Sequence, residues 1–173
     1  MKRSYLWIVA VVLAAAVVAV GIWMLAKPAP SWTGSAPDAV VYDANGNAVK
    51  LSDFAGKPVV LNFWASWCGP CKMEMPDFNE AYLELGDEVQ FVMVNLTDGQ
   101  QETVAGVSAF VAQQGYTFPV YYDTASSAAA AYGIHSIPTT FFIDAEGNVV
   151  SHAVGAISAS RLRQGIEEIL KGR

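Results

Sequence analysis

Only two cysteines occur in the 173 residues, and they stand as Cys68-Gly69-Pro70-Cys71, four residues behind the apolar run Val59-Val60-Leu61-Asn62-Phe63-Trp64. A run so nearly continuous suits a central strand covered on both faces. Beyond the cysteines, Met75, Phe78, Tyr82 and Leu85 recur at steps of three and four, which predicts a helix over 68–85, with Pro76 placed to kink it. The pair therefore lies where a strand gives way to a helix N-terminus. The partial positive charge and free N–H groups of that terminus favour a thiolate, and two intervening residues leave the sulfurs close enough to bond. Thiol-disulfide exchange needs both conditions. A purely structural bridge is the alternative, but closing so short a loop gains little entropy.

The rest of the pattern alternates. Val40–Tyr42 and Ala48–Leu51 flank Asp43-Ala44-Asn45-Gly46, an N-terminal β-hairpin signal because Asn-Gly accepts positive φ. Strands are expected at Val89–Asn95, Phe118–Tyr122, Thr139–Ile143 and Val149–Val154, the last two joined as a second hairpin through Asp144–Asn148. Helices are expected at Val104–Gln114, Ser126–Tyr132 and from about Ser158 onward, where Leu162, Ile166, Ile169 and Leu170 form one stripe. Alternating strands and helices with antiparallel closure define an α/β class, a mixed β-sheet flanked by helices.

Tyr5 to Ala26 is 22 residues without a charge, long enough to cross a hydrocarbon core of about 30 Å as a helix. Lys2 and Arg3 precede it and Lys27 follows, so the positive-inside bias places the N-terminus in the cytoplasm and the remainder outside. We read 1–27 as an uncleaved signal-anchor with one transmembrane helix. A cleaved signal peptide is the other reading, but its apolar core usually spans about 7 to 15 residues. Pro28, Pro30, Ser31, Gly34, Ser35 and Pro37 make 28–37 a tether, leaving 38–173 as the domain. From Pro28 onward 7 Lys or Arg face all 16 acids, a formal charge of −9, which makes nucleic acid a poor partner. No phosphate loop, paired-cysteine zinc pattern or Gly-x-Ser-x-Gly turn is present.

Asn62-Phe-Trp-Ala-Ser-Trp-Cys-Gly-Pro-Cys-Lys-Met-Glu-Met-Pro76, Leu51-Ser-Asp-Phe-Ala-Gly-Lys57 and Ile137-Pro-Thr-Thr-Phe-Phe-Ile-Asp144 together resemble the thioredoxin superfamily. Within it they resemble the membrane-anchored TlpA/ResA-like thiol-disulfide oxidoreductases. The resemblance covers the chain from Asp38 onward and implies a thioredoxin-like fold with a central insertion between Asn95 and Pro138. It implies that Pro138 is a cis-proline facing the Cys pair and that Ile137 offers backbone to a substrate strand; a trans proline at a strand start is equally allowed by the sequence. Asn62 stands where thioredoxin has a buried aspartate. Glu74, at i+3 from Cys71, stands where ResA-like proteins carry a carboxylate near the buried cysteine. Cys68, Cys71 and Glu74 are thus the expected catalytic residues, and Trp67, Gly69, Pro70, Ile137 and Pro138 the expected substrate-binding ones. Trp64 reads as core, and His135 and His152 as solvated.

The resemblance implies no cofactor beyond a redox-active Cys68–Cys71 disulfide, and no metal. It implies exported dithiol or disulfide proteins as partners, apocytochrome c among them, and a CcdA/DsbD-type membrane electron donor. A Gly-Pro dipeptide matches thioredoxin, whose couple lies at about −270 mV, and so points to a reductant. Two alternatives share the fold. A peroxiredoxin-like peroxidase resembles Pro-x-x-x-Thr-x-x-Cys, where this chain has Leu61 and Ala65. A copper-binding carrier would use both thiolates and His135.

Overall fold

Six buried residues in succession, Val59 to Trp64, form a strand that has neighbours on both edges and layers on both faces. The computed structural model describes residues 34–171. Over these the strands are β1 (Gly34–Ser35), β2 (Val40–Tyr42), β3 (Ala48–Lys50), β4 (Val59–Trp64), β5 (Gln90–Asn95), β6 (Val120–Tyr122), β7 (Thr139–Ile143) and β8 (Asn148–Val154). The helices are α1 (Gly69–Leu85), α2 (Val104–Gln114), α3 (Ser127–Ala131) and α4 (Ala159–Lys171), with a 3-10 turn at Leu51–Phe54. One mixed sheet runs in the order β1-β8-β7-β4-β5-β6-β2-β3. β5 lies parallel to β4 and β6, while β7, β8 and the N-terminal hairpin pair antiparallel. The segment between β5 and β7, read as a central insertion, holds α2, β6 and α3.

Alternation along β4 divides the core. Val60 and Trp64 join Phe78 of α1, Phe91 of β5 and Leu162 and Ile166 of α4 on one face. Leu61 and Phe63 join Val41, Tyr132 and Phe141 on the other. Asn62 shares the face of Val60 and Trp64, so the strand's one polar side chain points toward α1. The hairpin turn is held by Asp43, whose Oδ1 accepts the N–H groups of Asn45 and Asn47, and Gly46 takes φ +83°. Helix α1 runs through Pro76 as one continuous element.

Structured chain begins ahead of Asp38. Gly34 and Ser35 pair with Val149 and Asn148 through backbone alone, and the Ala36 N–H donates to the Gly147 carbonyl. Pairing of this kind leaves no side-chain pattern, so composition reads the stretch only as tether. The helix expected over Tyr5–Ala26 lies outside the described residues; among those described, no helix is long and apolar enough to cross a membrane.

Helix α4 meets β7 through Gly165. A Cβ there would collide with Cε1 and Cζ of Phe142, a fully buried ring. Overpacking costs about 1–3 kcal/mol, and so rigid a neighbour puts Gly165→Ala at the upper end, beyond the roughly 1 kcal/mol of helix propensity that alanine gains. A lowered urea midpoint at unchanged slope is expected; an unchanged midpoint would show that the ring gives way freely.

Candidate active site

Cys68 occupies the N-cap of α1 and Cys71 its first turn, with Pro70 between them at a position where a missing N–H costs nothing. The two are joined in a disulfide with Cα atoms 5.3 Å apart. Cys68 Sγ accepts the Cys71 N–H at 3.2 Å, the contact that would hold a thiolate in the reduced protein. Both cysteines are buried, Cys71 at 0% and Cys68 at 5% exposure, so the side open to a partner is that of Cys68. Gly69, Pro70 and Trp67 are exposed around it, Trp67 by 51%, while Trp64 is core.

The Ile137–Pro138 bond is cis, which decides between the two isomers that the sequence allows. This turn brings the Ile137 carbonyl to 3.8 Å from Cys68 Sγ, where it faces a disulfide sulfur now and could accept from a thiol after reduction. The Pro138 carbonyl accepts the Gly155 N–H at 2.8 Å, tying the turn to the end of β8.

Behind the disulfide lies Glu74, 3% exposed. Oε1 accepts Asn62 Nδ2 at 2.9 Å and Oε2 accepts the Ile157 N–H at 2.9 Å. Burial disfavours the charge and pushes its pKa from 4.5 up to about 7, against the pull of these two donors and with some help from the charge of Asp77. A carboxyl that exchanges its proton near neutrality thus lies one helical turn from Cys71.

A second buried carboxylate escaped the sequence reading. Glu102, 2% exposed, accepts the Ser66 N–H and Asn95 Nδ2 on Oε1 and the Ser66 hydroxyl on Oε2. It clasps the turn that leads from β4 into Cys68. Only local polar spacing marks it, Asp98 Oδ1 accepting the N–H groups of Gln100 and Glu102, and nothing local points to Ser66, 36 positions away. Glu102→Leu takes the acceptor from three donors, the Ser66 N–H, the Ser66 hydroxyl and Asn95 Nδ2, at about 1–3 kcal/mol each. A stability loss of roughly 3 kcal/mol on that basis is expected in denaturant titration of the oxidised protein, with Glu102→Gln, which keeps an acceptor, losing less. Equal losses for the two variants would show that hydrogen bonding to the turn is not what matters.

His135 and His152 are exposed, the latter stacked on Phe141 at 5.6 Å. Neither is grouped with the cysteines: among the described residues no three His, Cys, Asp or Glu converge on a metal position. Ala65, at the position where a peroxidase would need a hydroxyl, is buried and offers none.

The AhpC/TSA family model matches residues 28–152. The thiol-disulfide oxidoreductase ResA of Geobacillus thermodenitrificans (strain NG80-2) is 37% identical over 144 residues, 83% of this chain and 80% of that one. The chain belongs to the AhpC/TSA family, in its ResA-like branch. ResA of Bacillus subtilis (strain 168) agrees, at 37% identity over 84% of this chain and 80% of its own. A Chlorobium tepidum chain assigned as the thiol:disulfide interchange protein DsbE superposes with a TM-score of 0.72 at 34% identity, covering 82% of this chain and 99% of that one. This ResA-like chain is a thiol-disulfide oxidoreductase of thioredoxin-like fold.

Proposed function

We propose that this ResA-like oxidoreductase reduces disulfides in exported proteins outside the cytoplasmic membrane, held there by Tyr5–Ala26. The observation that carries the reading is a Cys68–Cys71 pair at a helix N-terminus with the Ile137 carbonyl on its open side and Glu74 buried behind it. In this reading the Cys68 thiolate attacks a substrate disulfide, forming a mixed disulfide and releasing one substrate thiolate, which takes up a proton. Cys71 then gives up its proton, attacks Cys68 Sγ and releases the second substrate sulfur. Two electrons and two protons pass to the substrate, and the protein is left as the disulfide. Glu74 is the acceptor for the Cys71 proton. Trp67, Gly69, Pro70, Ile137 and Pro138 form the surface on which the substrate peptide lies, pairing as a short strand with Ile137.

Reduction outside the cytoplasm needs electrons from within, so a CcdA/DsbD-type membrane donor would re-reduce the pair. The resemblance to membrane-anchored ResA-like proteins and the positive-inside flank, Lys2 and Arg3 before the span against Lys27 after it, support that placement. Apocytochrome c, whose haem-attachment thiols must be free, is the substrate class proposed. A strain lacking the protein should fail to make holocytochrome c, and the defect should be relieved by the wild-type chain or by an added external dithiol, but not by Cys68→Ser. Rescue by Cys68→Ser, or no response to the dithiol, would overturn this reading.

A further inference from the structure

Asn62 is 1% exposed and uses only half of its amide. Nδ2 donates to Glu74 Oε1 at 2.9 Å and to Thr140 Oγ1 at 3.0 Å, whereas Oδ1 has no hydrogen-bond partner. That arrangement suits an ionised Glu74, because both carboxylate oxygens then face donors. It does not suit the neutral acid. A proton on Oε1 would point at the Asn62 NH2 group, and one on Oε2 at the Ile157 N–H, each a donor that cannot accept. The orphaned oxygen of Asn62 is the acceptor that can be brought to the new proton, by a half-turn of the amide about its terminal torsion. After that turn Oδ1 receives the Glu74 O–H and the Thr140 hydroxyl, which changes from acceptor to donor. In each charge state of Glu74 the Asn62 amide then keeps two hydrogen bonds, one with Glu74 and one with Thr140, and leaves its opposite end unpaired.

We propose that Asn62 is a positioning residue whose side-chain amide turns over each time Glu74 gains or loses its proton, so that both forms of the acid are held in one place. The proposal rests on Glu74 exchanging a proton during the reaction. Its surroundings otherwise offer little that could answer the change. Asp77 on the same helix is an anion and would not accept the task of balancing another; β4 and β7 present neutral Asn62 and Thr140. The segment before α4 presents the Ile157 N–H, and Arg161 on α4 lies over the Phe142 ring and beside Glu168. An aspartate at 62 would set a second carboxylate against Glu74, and a leucine could serve neither form.

The test is a pH titration of the isotope-labelled, oxidised full-length chain by NMR from about pH 5 to 9, following the Glu74 carboxyl carbon and the Asn62 side-chain amide. The Asn62 amide protons are expected to show contacts to the Thr140 side chain above the Glu74 midpoint and to lose them below it. In Glu74→Gln the Asn62 amide should keep one orientation at every pH. Asn62→Leu should slow disulfide reduction about tenfold at pH 7 with its cooperative unfolding retained. Should Glu74 titrate while the Asn62–Thr140 contacts persist throughout, the turnover is refuted and the proton-transfer reading of Glu74 survives. If Glu74→Gln reduces at the wild-type rate, it is that reading which fails. If Asn62→Leu does not fold, the contacts in the wild-type chain still decide.

Discussion

Replacing Cys71 by serine is expected to stop the reaction half-way, with the protein caught in a covalent complex with its substrate. Cys68 holds the N-cap, where the Cys71 N–H and the helix dipole favour its thiolate, and it is the sulfur beside exposed Trp67, Gly69 and Pro70. Cys71 is wholly buried and has one reachable target, Cys68 Sγ, to which it is bonded in the oxidised chain. Once Cys68 has attacked, the mixed disulfide can be resolved only by a second thiol, and the sequence contains no other. Non-reducing gels should therefore show dithiol-sensitive adducts with Cys71→Ser and none with Cys68→Ser, while catalytic turnover falls to the background rate in both. Adducts accumulating on Cys68→Ser instead would reverse the two roles.

What the sequence displays and what it hides divide along the length scale of the interaction. β4, the Cys-Gly-Pro-Cys turn and α1 were legible because a buried strand, a two-residue spacing and a three-and-four periodicity are all local. The cis bond at Pro138 was left open by the sequence, since an X-Pro bond at a strand start serves either isomer until its surroundings choose. β1 was not legible, because Gly34 and Ser35 join β8 by main chain alone. Glu74 could be picked out by its place one turn after Cys71. Its partners could not, since Ile157 lies 83 residues further on and supplies a backbone N–H, a group that every residue but proline has. Glu102 had no local signal toward Ser66 and became visible only when the loops after β4 and β5 met. The chemistry of a single helix end can be read from spacing, while the groups that tune it come from strands and loops whose adjacency the fold creates.

Glu74→Gln tests that tuning directly, and it should change both stability and rate. In the folded chain Glu74 gives up its proton at about 7, against an ordinary value of 4.5. Below about 4.5 the folded and unfolded chains both hold the proton, and the stability is at its fullest. Between the two values only the folded chain still holds it, so stability declines as pH rises. Above about 7 both forms are ionised and the full cost of burying the charge is present. At 1.36 kcal/mol per unit the wild-type chain should lose on the order of 3 kcal/mol across this window. Glutamine carries no proton to lose, so denaturation of the oxidised variant should show that slope removed and the profile flattened. In the proposed mechanism the same substitution takes away the acceptor for the Cys71 proton, so disulfide reduction at pH 7 should slow about a hundredfold. It should also lose the ionisation near 7 from its pH profile. The two measurements separate the possible roles. A flattened stability curve with an unchanged rate would make Glu74 a buried charge that the fold tolerates, whereas loss of both ties the cost of burying it to the chemistry it performs.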